Sequence, residues 1–153
     1  ITMKGMRPLI VTKTDIFEEV SKSVEDCDIV INPDPMRGRT GSIQVGISTL
    51  DNSIGAGYSL LVVPVDRPGF SNSTLDTLIQ SKITCCPTKN GRGGHPVLLS
   101  PEDVEKTRGA SSDTPLRNIV NPERFDVEDP ELHLNIDTPE DIDFLEERLA
   151  VLS

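Results

Sequence analysis

Tryptophan is missing from this chain of 153 residues, and its aromatic side chains are one tyrosine and four phenylalanines. The core must therefore be aliphatic, without large rings to anchor it. Cations are scarce as well: 15 Lys and Arg stand against 25 Asp and Glu, a formal net charge of −10. Such a chain repels nucleic acid and anionic lipid non-specifically. A small anionic ligand can bind only with local help from cations, helix N-termini or a metal ion. Cysteine is limited to Cys27, Cys85 and Cys86, an odd number with two adjacent. Without a Cys-x-x-Cys or a Cys/His ligand spacing, neither a zinc site nor a disulfide framework is indicated, and reduced thiols in a cytoplasmic protein are expected. No apolar run approaches the ~20 residues of a membrane span, and no signal peptide is visible. Walker A, Gly-x-Gly-x-x-Gly and Gly-x-Ser-x-Gly patterns are all absent, which leaves three common phosphate, dinucleotide and hydrolase signatures unfilled. The opening "ITMKGMRP" also lacks an initiator methionine, as a trimmed or incomplete chain would.

What is present reads as one domain over residues 1–153, long enough for a single core. "PLIVT" (Pro8 to Thr12) is a short β-branched run and reads as a buried strand. "TDIFEEVSKSV" follows as a helix, with Asp15 and Glu18 at capping-box spacing. "CDIVINPD" predicts a second strand stopped by Pro33, and a helix is expected from near Thr40. "YSLLVVPVD" reads as a third strand, apolar on both faces like a central strand of a parallel sheet. "SNSTLDTLIQS" is a helix capped by Ser71 or Asn72. The order β-α-β-α-β-α predicts a layered α/β domain with right-handed crossovers.

Beyond Ser81 the rhythm changes. "KITCCPTKNGRGGHPVLLS" predicts paired strands around a flexible Gly-rich loop. "SPEDVEK" reads as a helix with Pro101 in its first turn, and "SDTPLRNIV" as another, capped by Asp113 or Thr114. "RFDV" is a candidate strand. The end reads as a strand "LHLNID" and a helix capped by Thr138, with Ile142, Leu145, Leu149 and Leu152 forming its apolar stripe.

Polar groups at the carboxyl ends of strands mark where ligands bind in open α/β sheets. Asp66 ends the apolar run "LLVVPVD", and is either a turn residue or a cation ligand. Asn135 and Asp137 stand two apart, so both face one side, yet Asp137 or Thr138 also suits a helix cap. Asn135, flanked by Leu134 and Ile136, needs a hydrogen-bond partner. "NPDPMRGRTGS" (Asn32 to Ser42) is a glycine-bearing loop entering a helix, with free N–H groups and the cations Arg37 and Arg39. "NGRGGHP" (Asn90 to Pro96) carries His95, which is either structural or catalytic.

Four stretches, in order, resemble the MobA-like nucleotidyltransferases, which include the enzymes that attach CMP or GMP to molybdopterin. They are "NPDPMRGRTGSIQVGI", "LLVVPVDRP", "GRGGHPVLLS" and "LNIDTPEDIDFL". The resemblance implies a three-layer Rossmann-like α/β fold of the GT-A nucleotidyltransferase type, with a mostly parallel sheet and helices on both faces. It implies transfer of a nucleoside monophosphate from a nucleoside triphosphate to a small phosphorylated acceptor, with Mg2+ as cofactor and pyrophosphate as leaving group. Asp66 is then the first magnesium ligand and the catalytic carboxylate, with Asn135 or Asp137 as the second. Gly38, Arg39, Gly41 and Ser42 would hold the nucleotide, and Gly94, His95 and Pro96 would face the acceptor. Val65 stands where the family has glycine, and Asn135 where cytidylyl-type members have aspartate. Nothing before Pro8 resembles the family's opening strand and Gly-rich triphosphate loop, so the first β-α unit is expected to be missing. The same residues also suit an inactive relative kept as a binding module, or a phospholactate or sugar-phosphate nucleotidyltransferase.

Overall fold

Leu9–Thr12 (β1) and Asp28–Ile31 (β2) pair in parallel, with Ile10 opposite Ile29 and Val11 opposite Val30. Between them runs a helix, Phe17–Ser23 (α1), entered through a 3-10 turn over Thr14–Ile16. Neither start carries a side-chain cap, so the capping box expected at Asp15 and Glu18 does not form. Those carboxylates instead lie toward solvent, loosely paired with Lys13 at 4.0 Å and Lys22 at 3.9 Å.

The long helix α2 (Gly38–Ile54) lies on β1, with Ile47 buried and Gly46 where a methyl would come within 3.3 Å of Val11 Cγ2. The missing side chain at Gly46 is what lets the helix lie this close. α4 (Pro101–Gly109) is tied to α2 by the Gln44 carboxamide, which donates to the carbonyls of Thr107 (2.9 Å) and Ala110 (2.8 Å). The carboxamide thus meets the carboxyl end of α4, where the Thr107 carbonyl also takes the Ala110 N–H at 3.4 Å. The computed structural model describes residues 6–143 and 145, and the chain forms two compact units. The elements so far, up to Tyr58 and over Pro101–Asn121, make the first.

The second unit holds β3 (Leu60–Val62), α3 (Asn72–Gln80), β4 (Cys85–Lys89), β5 (Arg92–Gly93), β6 (Val97–Leu99) and β7 (Glu123–Asp126). Its sheet has the order β3-β6-β4-β5, with β7 parallel to β4. Leu78 of α3, fully buried, packs with Cys85 and Leu98, and Leu61 and Phe125 close around them. The fully buried centre is thus aliphatic and thiol, with the Phe125 ring only at its margin. Ser71 caps α3, its hydroxyl accepting from the Thr74 N–H at 3.2 Å.

Several expectations change. β3 is not the centre of a parallel sheet, and this sheet is not mostly parallel: β3 stands at one end of the order and pairs antiparallel with β6, and among the described pairings here only β4 with β7 is parallel. The connection after β4 is not a flexible loop. Asn90 (φ 54) and Gly91 (φ 75) form a two-residue turn between Lys89 and Arg92, the Asn-Gly hairpin of type I′. "SDTPLRNIV" gives only a 3-10 turn, Leu116–Asn118, because Asp113 accepts from Ser111 and no side chain caps the start. "LHLNID" forms no strand: Leu132 N–H turns back to Asp129 O and Leu134 N–H to Glu131 O, and Leu134 to Asp137 carry no regular structure. The final stripe positions Leu149 and Leu152 lie outside the described residues.

Candidate functional site

Asp66 sits in the turn after β3, where the Arg67 N–H bonds back to the Pro64 carbonyl at 3.3 Å. Its side chain is about one-third exposed, and Arg67 Nε lies 3.9 Å from Oδ2, a loose pair. Val65 beside it is 94% exposed. The Asp66 carbonyl accepts from the Ile136 N–H at 3.0 Å. That bond brings Asp66 next to the Asn135–Asp137 segment although they are 70 positions apart in sequence.

Asn135 and Asp137 do share one side, as their spacing implies: Asn135 Nδ2 donates to Asp137 Oδ2. The amide nitrogen is thereby used, while Asn135 Oδ1 is buried with no hydrogen-bond partner. The helix start beside them is served by Asp141, which accepts from the N–H groups of Asp137 (3.0 Å) and Thr138 (2.8 Å) and from the Thr138 hydroxyl (2.9 Å). These bonds hold the Asp141 carboxyl below the usual aspartate range. Asp141, inside the first turn, thus bonds back to the two residues before the helix, while Asp137 accepts from Asn135 rather than from a helix N–H. Among the described residues no three His, Cys, Asp or Glu side chains gather as a metal cluster. Any cation here would rest on few protein oxygens.

The segment leading to Asn135 is anchored by a residue that sequence reading missed. Asp129, buried, accepts from the Ser71 N–H (2.9 Å) and the Thr74 hydroxyl (2.7 Å) at the start of α3. Burial alone would raise its carboxyl, but the bonds from Ser71 and Thr74 and the nearby Lys89 outweigh burial and lower it. A group whose folded value is depressed protonates more readily when unfolded. The stability from Asp129 and Asp141 is therefore complete above the ordinary aspartate value of 3.8 and is lost as pH falls through the lower folded values. Urea midpoints should be level from neutral pH to mild acid and drop below that value, and Asp129→Asn should flatten part of the drop. A midpoint independent of pH in that window would contradict the assignment.

In the first unit, the loop Asn32 to Ser42 is built around a buried amide. Asn32, 4% exposed, donates from Nδ2 to Ser42 Oγ (3.0 Å) and accepts the Asp34 N–H (2.9 Å). Ser42 is thus fixed at the start of α2 and has its own carbonyl acceptor in Gly38 at 3.4 Å. Gly38 (φ 79) needs the left-handed backbone region that glycine favours, and open space surrounds it. Gly41 is tighter, since a methyl there would meet Arg37 Cβ at 2.8 Å. Arg39 is exposed, and Arg37 pairs with Asp34 at 3.1 Å. At the same edge the Asn32 N–H bonds the Thr12 carbonyl at 2.6 Å. Thr12, 7% exposed, has a buried hydroxyl without a partner. Thr12 at the end of a β-branched run looks like an ordinary strand residue, so only its burial reveals it.

Farther along α2, Asp51 takes both Arg108 Nε (2.8 Å) and Nη2 (3.0 Å) and also the Tyr58 hydroxyl (3.0 Å). The Arg108 bonds hold the Asp51 carboxyl down, while burial and then Asp51 push Tyr58 up to about 12. This set joins α2 to α4 and is structural. Gly94, His95 and Pro96 lie in the second unit between β5 and β6. Gly94 leaves room for Leu132, whose side chain a methyl would meet at 2.7 Å, and Pro96 is buried. Two of the three expected acceptor residues are thus engaged in packing.

With the carboxyl-edge groups in place, the sequence of the whole chain can be set against known families. A family model described as "MobA-like NTP transferase domain" matches residues 4–128. The chain belongs to the MobA-like NTP transferase domain family. Similar folds include a 4-diphosphocytidyl-2C-methyl-D-erythritol synthase, at 14% identity and TM-score 0.65, covering 94% of this chain and 81% of that one. A second is a Mycobacterium sp. strain JC1 homologue of a Mycobacterium tuberculosis protein, at 20% identity and TM-score 0.69, with 96% and 77% covered. A third is molybdopterin-guanine dinucleotide biosynthesis protein A from Archaeoglobus fulgidus, at 17% identity and TM-score 0.59, with 93% and 78% covered. No curated protein matches the chain. This NTP transferase domain therefore has the Rossmann-like α/β fold of nucleotidyltransferases. No helix among its described residues is long and apolar enough to cross a membrane.

Proposed function

We propose that the domain transfers a CMP or GMP moiety from a nucleoside triphosphate to a small phosphorylated acceptor of the molybdopterin kind, in a Mg2+-dependent reaction in the cytoplasm. The observation that carries this reading is the buried, unpartnered Asn135 Oδ1, one residue from the Ile136 N–H that bonds Asp66. A buried amide oxygen without a donor costs roughly 1–3 kcal/mol, and a cation would remove that cost. One carboxylate and one amide oxygen suit Mg2+, which keeps several waters and binds with the help of substrate phosphates. Asp66 and Asn135 would hold the ion, and Asp137, by accepting the amide hydrogen, would leave the Asn135 oxygen for it.

Bound there, Mg2+ supplies charge neutralisation on the phosphoryl oxygens and favours in-line geometry. An oxygen of the acceptor phosphate forms the new bond to the α-phosphorus, and the bond from that phosphorus to the pyrophosphate oxygen breaks. Pyrophosphate departs with the electron pair. Gly38, Arg39, Gly41 and Ser42 are the proposed nucleotide-holding residues: within the first unit they offer N–H groups and one cation at the start of α2, where the dipole favours a negative or electron-rich partner. Thr12 and Asn32 add a free hydroxyl and a fixed amide to that edge.

Isothermal titration of the full-length protein with CTP and with GTP, with and without Mg2+, tests this. The expected result is binding of one nucleotide that requires the metal and is lost in Asp66→Ala. Failure to bind either nucleotide, or binding that the substitution leaves unchanged, would overturn the reading.

A further inference from the structure

Four contacts join the stretch after β3 to the segment from Asp129 to Ile136, and they fall in one register. Asp66 O accepts from Ile136 N (3.0 Å), Arg67 Nη1 donates to His133 O (3.3 Å), Gly69 lies against Glu131, and Ser71 N donates to Asp129 Oδ2 (2.9 Å). As one number rises the other falls, so the two segments run side by side in opposite directions without forming a ladder. At Gly69 a methyl would sit 1.7 Å from the Glu131 carbonyl oxygen and 2.5 Å from its carbon. That neighbour is backbone and cannot rotate away. The same carbonyl accepts from Leu134 N–H at 2.8 Å, in the turn that delivers Asn135. At the far end Asp129 also binds the Thr74 hydroxyl (2.7 Å), which fastens the segment to α3.

We infer that Gly69 and Asp129 are positioning residues for the pair of cation ligands: they fix the register that sets Asn135 beside Asp66. The inference rests on the metal reading above and adds two residues that touch neither ion nor nucleotide. Gly69 acts by absence, since any side chain there forces Glu131, and with it the turn to Asn135, away from Asp66. Asp129 acts as the acceptor at the opposite end. Asn at this position keeps an oxygen for Ser71 and Thr74, while Ala keeps none.

The test reads Mn2+ affinity by electron paramagnetic resonance, with Mn2+ alone as probe, together with amide exchange of Ile136. The proteins are the wild type, Gly69→Ala, Asp129→Ala, Asp129→Asn and Asp66→Asn as the ligand control. Gly69→Ala and Asp129→Ala should weaken Mn2+ by about tenfold or more, as loss of groups that orient metal ligands does. Both should also speed Ile136 exchange, and Asp129→Asn should restore both readouts to near wild type. Unchanged Ile136 exchange in folded Gly69→Ala overturns the inference, as does faster exchange with unchanged Mn2+ affinity. A wild type that fails to bind Mn2+ overturns the metal reading itself and this inference with it. The exchange data separate that failure from the first two.

Discussion

Asp66→Ala is expected to lower nucleotidyl transfer roughly a thousandfold, because a bound cation contributes several kcal/mol to the charge developing on the phosphoryl oxygens. The fold should not change. What Asp66 gives the structure is its backbone carbonyl, which takes the Ile136 N–H, and alanine retains that group. Its carboxylate makes only a 3.9 Å pair with the adjacent Arg67 in partly exposed surroundings, the kind of pair worth little to stability. Melting temperature should therefore stay close to the wild type while pyrophosphate release collapses. Asp66→Asn keeps an oxygen ligand but loses the charge, so its rate should fall between the two. Transfer retained within tenfold in folded Asp66→Ala would place the phosphate chemistry elsewhere in the chain.

Leu78→Ala is expected to destabilise the protein by about 2–5 kcal/mol, the range for emptying a tightly packed core position. Leu78 has no solvent exposure and meets Cys85, Leu98, Leu61 and Phe125 where α3 covers the sheet. No tryptophan exists to take up the space, and the neighbours sit on paired strands that cannot collapse inward. The consequence reaches the candidate site. α3 is the anchor for Asp129, and Asp129 begins the segment that ends in Asn135. Urea unfolding should show a lower midpoint with an unchanged slope, and a loss below about 1 kcal/mol would contradict this view of the core.

The early β-α rhythm was legible because apolar runs and helix starts lie within a few residues of one another. "PLIVT" is marked by its β-branched run, "CDIVINPD" and "SNSTLDTLIQS" carry their own stop or cap, and the chain follows them. Asp66 and Asn135 could be singled out for a related reason: a polar group at the end of an apolar run must find a partner or a ligand. Their being brought together by the Ile136 bond was not legible, because it depends on pairing between segments far apart in sequence. Gly69 looks like a turn glycine after Pro68, and Asp129 like an ordinary residue before Pro130. Their roles appear only when Glu131 and α3 are seen against them. Asn90-Gly91 was readable as a tight hairpin from the pair itself, whereas the surrounding glycines suggested flexibility. "LHLNID" alternates like a strand, yet the turns at Asp129 and Glu131 use its first half.

The central claim is that Asp66 and Asn135 together hold the cation that serves the nucleotide's phosphates. A crystal of the full-length protein soaked with Mn2+ and a nucleoside triphosphate, read at the manganese absorption edge, tests it most directly. The account predicts one anomalous peak within direct bonding distance of an Asp66 carboxylate oxygen and of Asn135 Oδ1, with Asp137 still accepting the Asn135 amide hydrogen. A peak bound by Asp137 without Asn135, or one removed from Asp66, would contradict it.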